Sequence, residues 1–125
     1  MTMGIPILKY SDSLFVSIQE ELDDEKVVTL QQDILRDIQR HSAARVILDV
    51  SALDIIDSYS AKVFSESVQM AELMGAKVVL TGVQPAVAIT LHEMGISMQH
   101  IKTALDIESG LEALKKMENE IKFER

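Results

Sequence analysis

Arg45–Phe64, "RVILDVSALDIIDSYSAKVF", is the stretch that decides how this chain is read, because two periodicities meet inside it. Arg45–Val50 is a short run rich in β-branched residues, the pattern of a buried strand. Beyond the junction, Ala61, Phe64, Val68 and Ala71 recur at helical steps, and Gly75 marks a stop. Between strand and helix stand Asp54, Asp57, Ser58, Tyr59 and Ser60. Acids and hydroxyls at such a junction suit either a catalytic pocket or a switch.

Working outward, the same alternation continues in both directions. Ile7–Tyr10 and Leu14–Gln19 read as short strands around the turn "SDS", with period-2 alternation in "LFVSI". In "DDEKVVTLQQDILRDIQRH", Val27, Leu30, Ile34 and Ile38 recur at helical steps behind an acidic start. Lys77–Thr81, "KVVLT", reads as a second buried strand, and Pro85 opens a third helix that Gly95 is expected to end. A weaker strand is expected around Met98–Lys102. A last helix then carries Ile107, Leu111, Leu114, Met117 and Ile121 on one face, with Gly110 disturbing its first turn. Strands alternating with helices predict an α/β layer whose later strands are parallel and whose first two form a hairpin.

Composition narrows the function. The chain has 125 residues, enough for one core and too few for two ordinary domains, so a single domain over 1–125 is expected. A net charge of −8 with no basic cluster argues against nucleic acid and against anionic membrane surfaces. There is no cysteine, which removes disulfides and thiolate metal sites. "MTMGIPILKY" lacks the marks of a signal peptide, and no apolar run is long enough to span a bilayer; a cytoplasmic location is expected.

The tools of catalysis are missing from the places where this architecture would carry them. There is no GxxxxGK[ST] or GxGxxG phosphate loop, and "TGVQP" (81–85) has one glycine, too few for either. Ser58 is not framed as G-x-S-x-G, and His41, His92 and His100 have no metal-ligand spacing. His92 as a general base for Ser58 is the enzymatic alternative, set against a plain exposed histidine. Met70, Met74, Met94 and Met98 read as core filler or contact surface. No catalytic activity, cofactor or metal is expected.

At the junction itself Asp57 fits an N-cap, its carboxylate accepting from the free amides one turn on. Ser58, Tyr59 and Ser60 then take the first three helical positions. Backbone amides and the positive end of the helix dipole make that start hospitable to phosphate. Phosphorylation of Ser58 would add about −1.5 to −2 charges beside Asp54 and Asp57 without breaking the helix. The plainer alternative is an unmodified Asp-Ser cap.

"LDVSALDIIDSYSAKVF" followed by "MAELMGAKVVLTGVQPAVAITLHEMGI" resembles the STAS-domain, or anti-sigma-factor-antagonist, family. The likeness extends from "IPILKYSDSLFVSIQEELDD" to "TALDIESGLEAL" and is nearest to the small stressosome members. It implies a four- to five-stranded mixed sheet with about four helices largely on one side. It also implies a non-enzymatic phospho-switch and scaffold subunit that co-assembles with RsbR-type STAS paralogues and holds an RsbT-type serine kinase. Phosphorylation at the head of the second helix, here Ser58, releases the kinase, and an RsbX-type phosphatase resets the switch. By the same likeness, Asp54, Asp57 and Tyr59 belong to the capping and kinase-facing surface, and self-association is expected. Ser60 departs from the family pattern, which has an apolar residue there, and is an alternative acceptor. Thr90 is another, near a modified threonine of the RsbR paralogues. A monomeric antagonist that binds a switch kinase directly is the alternative within the family.

Overall fold

A computed structural model of the chain describes residues 5–94 and the strand 102–104. Five strands and three helices alternate: β1 (Ile7–Tyr10), β2 (Ser13–Ser17), α1 (Asp24–His41), β3 (Arg45–Asp49), α2 (Ser58–Leu73), β4 (Lys77–Thr81), α3 (Pro85–Glu93) and β5 (Lys102–Ala104). They form one sheet in the order β1-β2-β3-β4-β5. β1 and β2 pair antiparallel, and every later pairing is parallel. The mixed sheet and the opening hairpin are therefore as the sequence pattern predicts.

Boundaries differ in detail, for local reasons. β2 starts at Ser13 rather than Leu14 because a tight turn, with Ser11 at φ 56°, brings Ser13 opposite Tyr10. β3 ends at Asp49, one residue short of the expected Val50, whose amide still donates to the Thr81 carbonyl at the end of β4 at 2.9 Å. The last strand is Lys102–Ala104, C-terminal to most of the expected Met98–Lys102. The expected last helix, with Gly110 in its first turn, lies outside the described residues, as do Gly95, Met98 and His100.

Each helix is bounded by identifiable chemistry. At the start of α1 the Asp23 carboxylate accepts from the Lys26 amide at 2.8 Å, with Asp24 and Glu25 in the first turn favouring the positive dipole end. Its last turn carries Arg40 and His41, and Ser42 closes it in the left-handed region at φ 50°. α2 ends where Gly75, at φ 93°, turns the chain back so that the Ala76 amide reaches the Ala71 carbonyl.

The helices share one core. Leu14, Val16, Val46, Leu48, Val78 and Leu80 point from one pleat of the sheet into it. Val27, Leu30, Ile34 and Ile38 of α1 meet them, with Ala61, Phe64, Val68 and Ala71 of α2 and Val87 and Leu91 of α3. Every apolar position singled out from spacing in α1 and α2 is buried. On the opposite pleat Ile47 and Val79 are also buried, at 1% and 0% exposure, as a strand covered on both faces requires. A cavity of about 10 Å³ remains between the helices and the sheet, lined by Val27, Leu30, Ile34, Phe64 and Val68 among others. It is water-sized and mostly apolar, a packing gap whose lining hydroxyl, that of Ser67, is bonded to the Val63 carbonyl.

Leu80 sits at 0% exposure in the centre of this core. Leu80→Ala should lower unfolding free energy by about 2–5 kcal/mol, measured by urea titration with the slope unchanged.

Candidate functional site

β3 and β4 run parallel in register, with Asp49 opposite Thr81, so the loops that follow them emerge side by side. The crevice outside the carboxyl ends of such strands is where open α/β sheets place their ligands. The β3–α2 loop is pinned from beneath by Leu53 and Ile56, both buried. That anchoring leaves Asp54, Ile55 and Asp57 on the outside, Ile55 at 65% exposure.

Asp57 caps α2 as expected. Its backbone is extended, its Oδ1 accepts from the Ser60 amide at 2.7 Å, and its carbonyl accepts from the Ala61 amide at 2.9 Å. Ser58 occupies the first helical position and is exposed, as is Tyr59. Ser60 is fully buried, and its hydroxyl donates to the Leu22 carbonyl at 3.3 Å. The helical repeat explains the contrast: two residues turn through about 200°, so Ser58 and Ser60 face opposite sides of α2. Ser60 ties the start of α2 to the segment before α1 instead of sharing the exposed surface.

Thr90 lies in α3, its hydroxyl donating to the Ala86 carbonyl one turn back at 3.1 Å. His92 stands in the last turn of α3, where a cation suits the dipole. Met70 and Met74 are substantially exposed near the far end of α2, and Met94 packs partly against the core. Among the described residues no group of three His, Asp or Glu side chains is arranged to hold a metal, and no helix is long and apolar enough to cross a membrane.

The structure adds a network that spacing did not single out. Asp49 Oδ1 accepts from the Thr81 hydroxyl at 3.1 Å and the Ser51 amide at 3.3 Å, and Oδ2 accepts from the Ser51 hydroxyl at 3.1 Å. Gly82, at φ 70°, passes so close that a Cβ there would stand 2.5 Å from Ser51 Cβ. Gln84 Nε2 donates to the Ser51 carbonyl at 2.9 Å and to Asp54 Oδ1 at 3.2 Å. The available signals were an acid closing an apolar strand and a lone glycine just past its neighbour. Ile55 in the β3–α2 loop, Tyr59 at the start of α2 and Ile89 on α3 are exposed apolar side chains.

The STAS domain family model matches residues 5–121. Among solved structures, RsbS S58E of Moorella thermoacetica superimposes with a TM-score of 0.83 at 39% identity, over 92% of this chain and 97% of that one. A chain of the stressosome, solved as a signal integration and transduction hub, gives a TM-score of 0.79 at 41% identity, over 90% of this chain and 97% of its own. RsbT co-antagonist protein RsbRA of Bacillus subtilis (strain 168) is 23% identical over 96 residues, 77% of this chain. This chain spans only 35% of the length of that relative.

Asp57→Ala removes the side-chain cap and should cost about 0.5–2 kcal/mol. Ser58→Ala should leave the melting temperature within a degree or two, since the first helical position is exposed and relies on no side-chain bond. Thermal melts monitored by far-UV circular dichroism compare the two.

Proposed function

Because this chain belongs to the STAS-domain family, we propose that it is a non-enzymatic phospho-switch and scaffold subunit of a stressosome. It co-assembles with RsbR-type STAS paralogues and sequesters an RsbT-type serine kinase. The kinase phosphorylates Ser58 and is thereby released, and an RsbX-type phosphatase restores the starting state. The observation that carries this reading is the accessibility contrast at the head of α2: Ser58 is exposed on a capped helix start, while Ser60 is fully buried.

Chemistry supports the choice of acceptor. The amides of the first turn and the dipole favour an anion at Ser58, so the modified helix remains stable. The added charge of about −1.5 to −2 falls beside Asp54 and Asp57 and turns a mixed surface strongly acidic. Ile55 and Tyr59 supply apolar contact area around the serine, so a partner seated there is expelled by desolvating that charge. Modification of Ser60 would require opening the start of α2, and Thr90 is bonded to its own helix on another element. The Moorella relative keeps the same fold with a serine replaced by glutamate, which fits a fold that tolerates such a charge. Similarity to a stressosome chain over 97% of its length supports the scaffold half of the reading.

Incubation with an RsbT-type kinase and ATP, followed by peptide mass spectrometry, should place the phosphate on Ser58. Ser58→Ala should abolish both modification and kinase release, and Ser58→Asp, with a single charge, should weaken kinase binding only in part. Mixed with an RsbR-type paralogue, the chain should elute as a particle far larger than a dimer. Phosphate mainly on Ser60 or Thr90 would refute the acceptor assignment. Elution as a monomer that binds the kinase without a paralogue would favour the simple antagonist instead.

A further inference from the structure

We propose that Gln84 is a positioning residue for the switch, its side-chain amide clasping the β3–α2 loop and holding Ser58 in the pose a kinase must meet. This rests on the reading of Ser58 as the phosphate acceptor. Gln84 is the N-cap residue of α3, a place where Ser, Thr, Asp or Asn would bond the free amides of the first turn. Its side chain makes no such bond. It reaches away from its own helix to residues 33 and 30 positions earlier, donating to the Ser51 carbonyl and to Asp54 Oδ1.

The geometry around the clasp points the same way. Asp49 grips Ser51 from the other side through both carboxylate oxygens, and is itself bridged to β4 by Thr81. Gly82 leaves room for only a hydrogen where the two loops touch. These contacts converge on Ser51–Asp54, which leads directly into Asp57 and Ser58. Beneath the loop, Leu53 and Ile56 fix its depth through apolar contacts without direction. The orientation of its polar half is set by the Asp49 and Gln84 hydrogen bonds, which are directional. Gln84 thus links the switch loop to α3, so that two elements present one surface.

A kinase transferring phosphate depends on the attacking hydroxyl being held in line, and small misplacement of that oxygen costs rate more than affinity. In the full-length chain, Gln84→Ala should lower kcat for Ser58 phosphorylation about tenfold with KM nearly unchanged. Backbone amides of residues 51–57 should exchange hydrogen about tenfold faster, while those of β3 and β4 keep wild-type rates. Asp54→Asn retains the Oδ1 acceptor and should behave as wild type in loop exchange. Asp54→Ala removes only one of the two Gln84 acceptors, so it should speed loop exchange in the same direction but less than Gln84→Ala, and the double variant should exchange no faster than Gln84→Ala alone. Normal phosphorylation of Gln84→Ala, unchanged loop exchange, or additive effects in the double variant would each overturn the clasp. A wild-type protein whose Ser58 takes no phosphate overturns the acceptor assignment instead, and loop exchange then tests the clasp by itself.

Discussion

The in-register parallel pairing of β3 with β4 is the constraint on which the candidate site depends. It sets Asp49 beside Thr81 at the shared carboxyl end, so two loops distant in sequence leave the sheet as neighbours. Parallel strands need crossovers on the faces, and here α2 is the crossover from β3 to β4. Its first turn must therefore begin near the same edge from which the β4–α3 loop departs. Asp49 could not bridge Ser51 and Thr81 if the register slipped by one residue, because its side chain would turn to the other face. Burial of Val46, Leu48, Val78 and Leu80 on one pleat, and of Ile47 and Val79 on the other, opposes such a slip.

Helical phase then divides the labour between two serines that look alike in sequence. Ser58 and Ser60 share a chemistry and differ by about 200° around α2. One meets solvent; the other satisfies the Leu22 carbonyl and helps dock α2 beside the entrance to α1. Asp57 serves both, because its cap on the Ser60 amide fixes the angle at which the helix starts. A single carboxylate thus sets which hydroxyl faces outward.

Most of this fold was legible in the sequence because burial writes a period. The 3.6-residue recurrence of Val27, Leu30, Ile34 and Ile38 identified α1 and its buried face, and the runs at 45–50 and 77–81 identified the central strands to within a residue. The Asp57 cap was legible because a capping acid is a local signal, confined to one turn. The exposure of Ser58 followed from that cap. The Asp49–Thr81 bond and the Gln84 clasp were not legible, since they join residues 32 and 33 positions apart and leave no period behind. Gln84 was hidden further by its place before Pro85, where the only pattern on view was the start of a helix.

The same geometry bears on how a phosphate at Ser58 could signal. An anion at the first position of a helix is favoured by the dipole and by unpaired amides, so it stabilises the element that carries it by roughly 0.3–1 kcal/mol. A modification that stabilises the existing fold gives the chain no reason to rearrange, because a state can be displaced only by a ligand that prefers another. Under the proposed switch the message would then reside in the surface, as charge laid over the exposed Ile55 and Tyr59 next to Asp54 and Asp57. Such a surface is read most sharply when it does not yield, since a loose loop would let a partner move aside from the new charge. The hydrogen bonds that lock Ser51 and Asp54 against β4 and α3 supply that stiffness. If Ser58 is phosphorylated as proposed, the adjoining loops and the exposed serine would form one device, in which rigidity converts a local charge into loss of a partner.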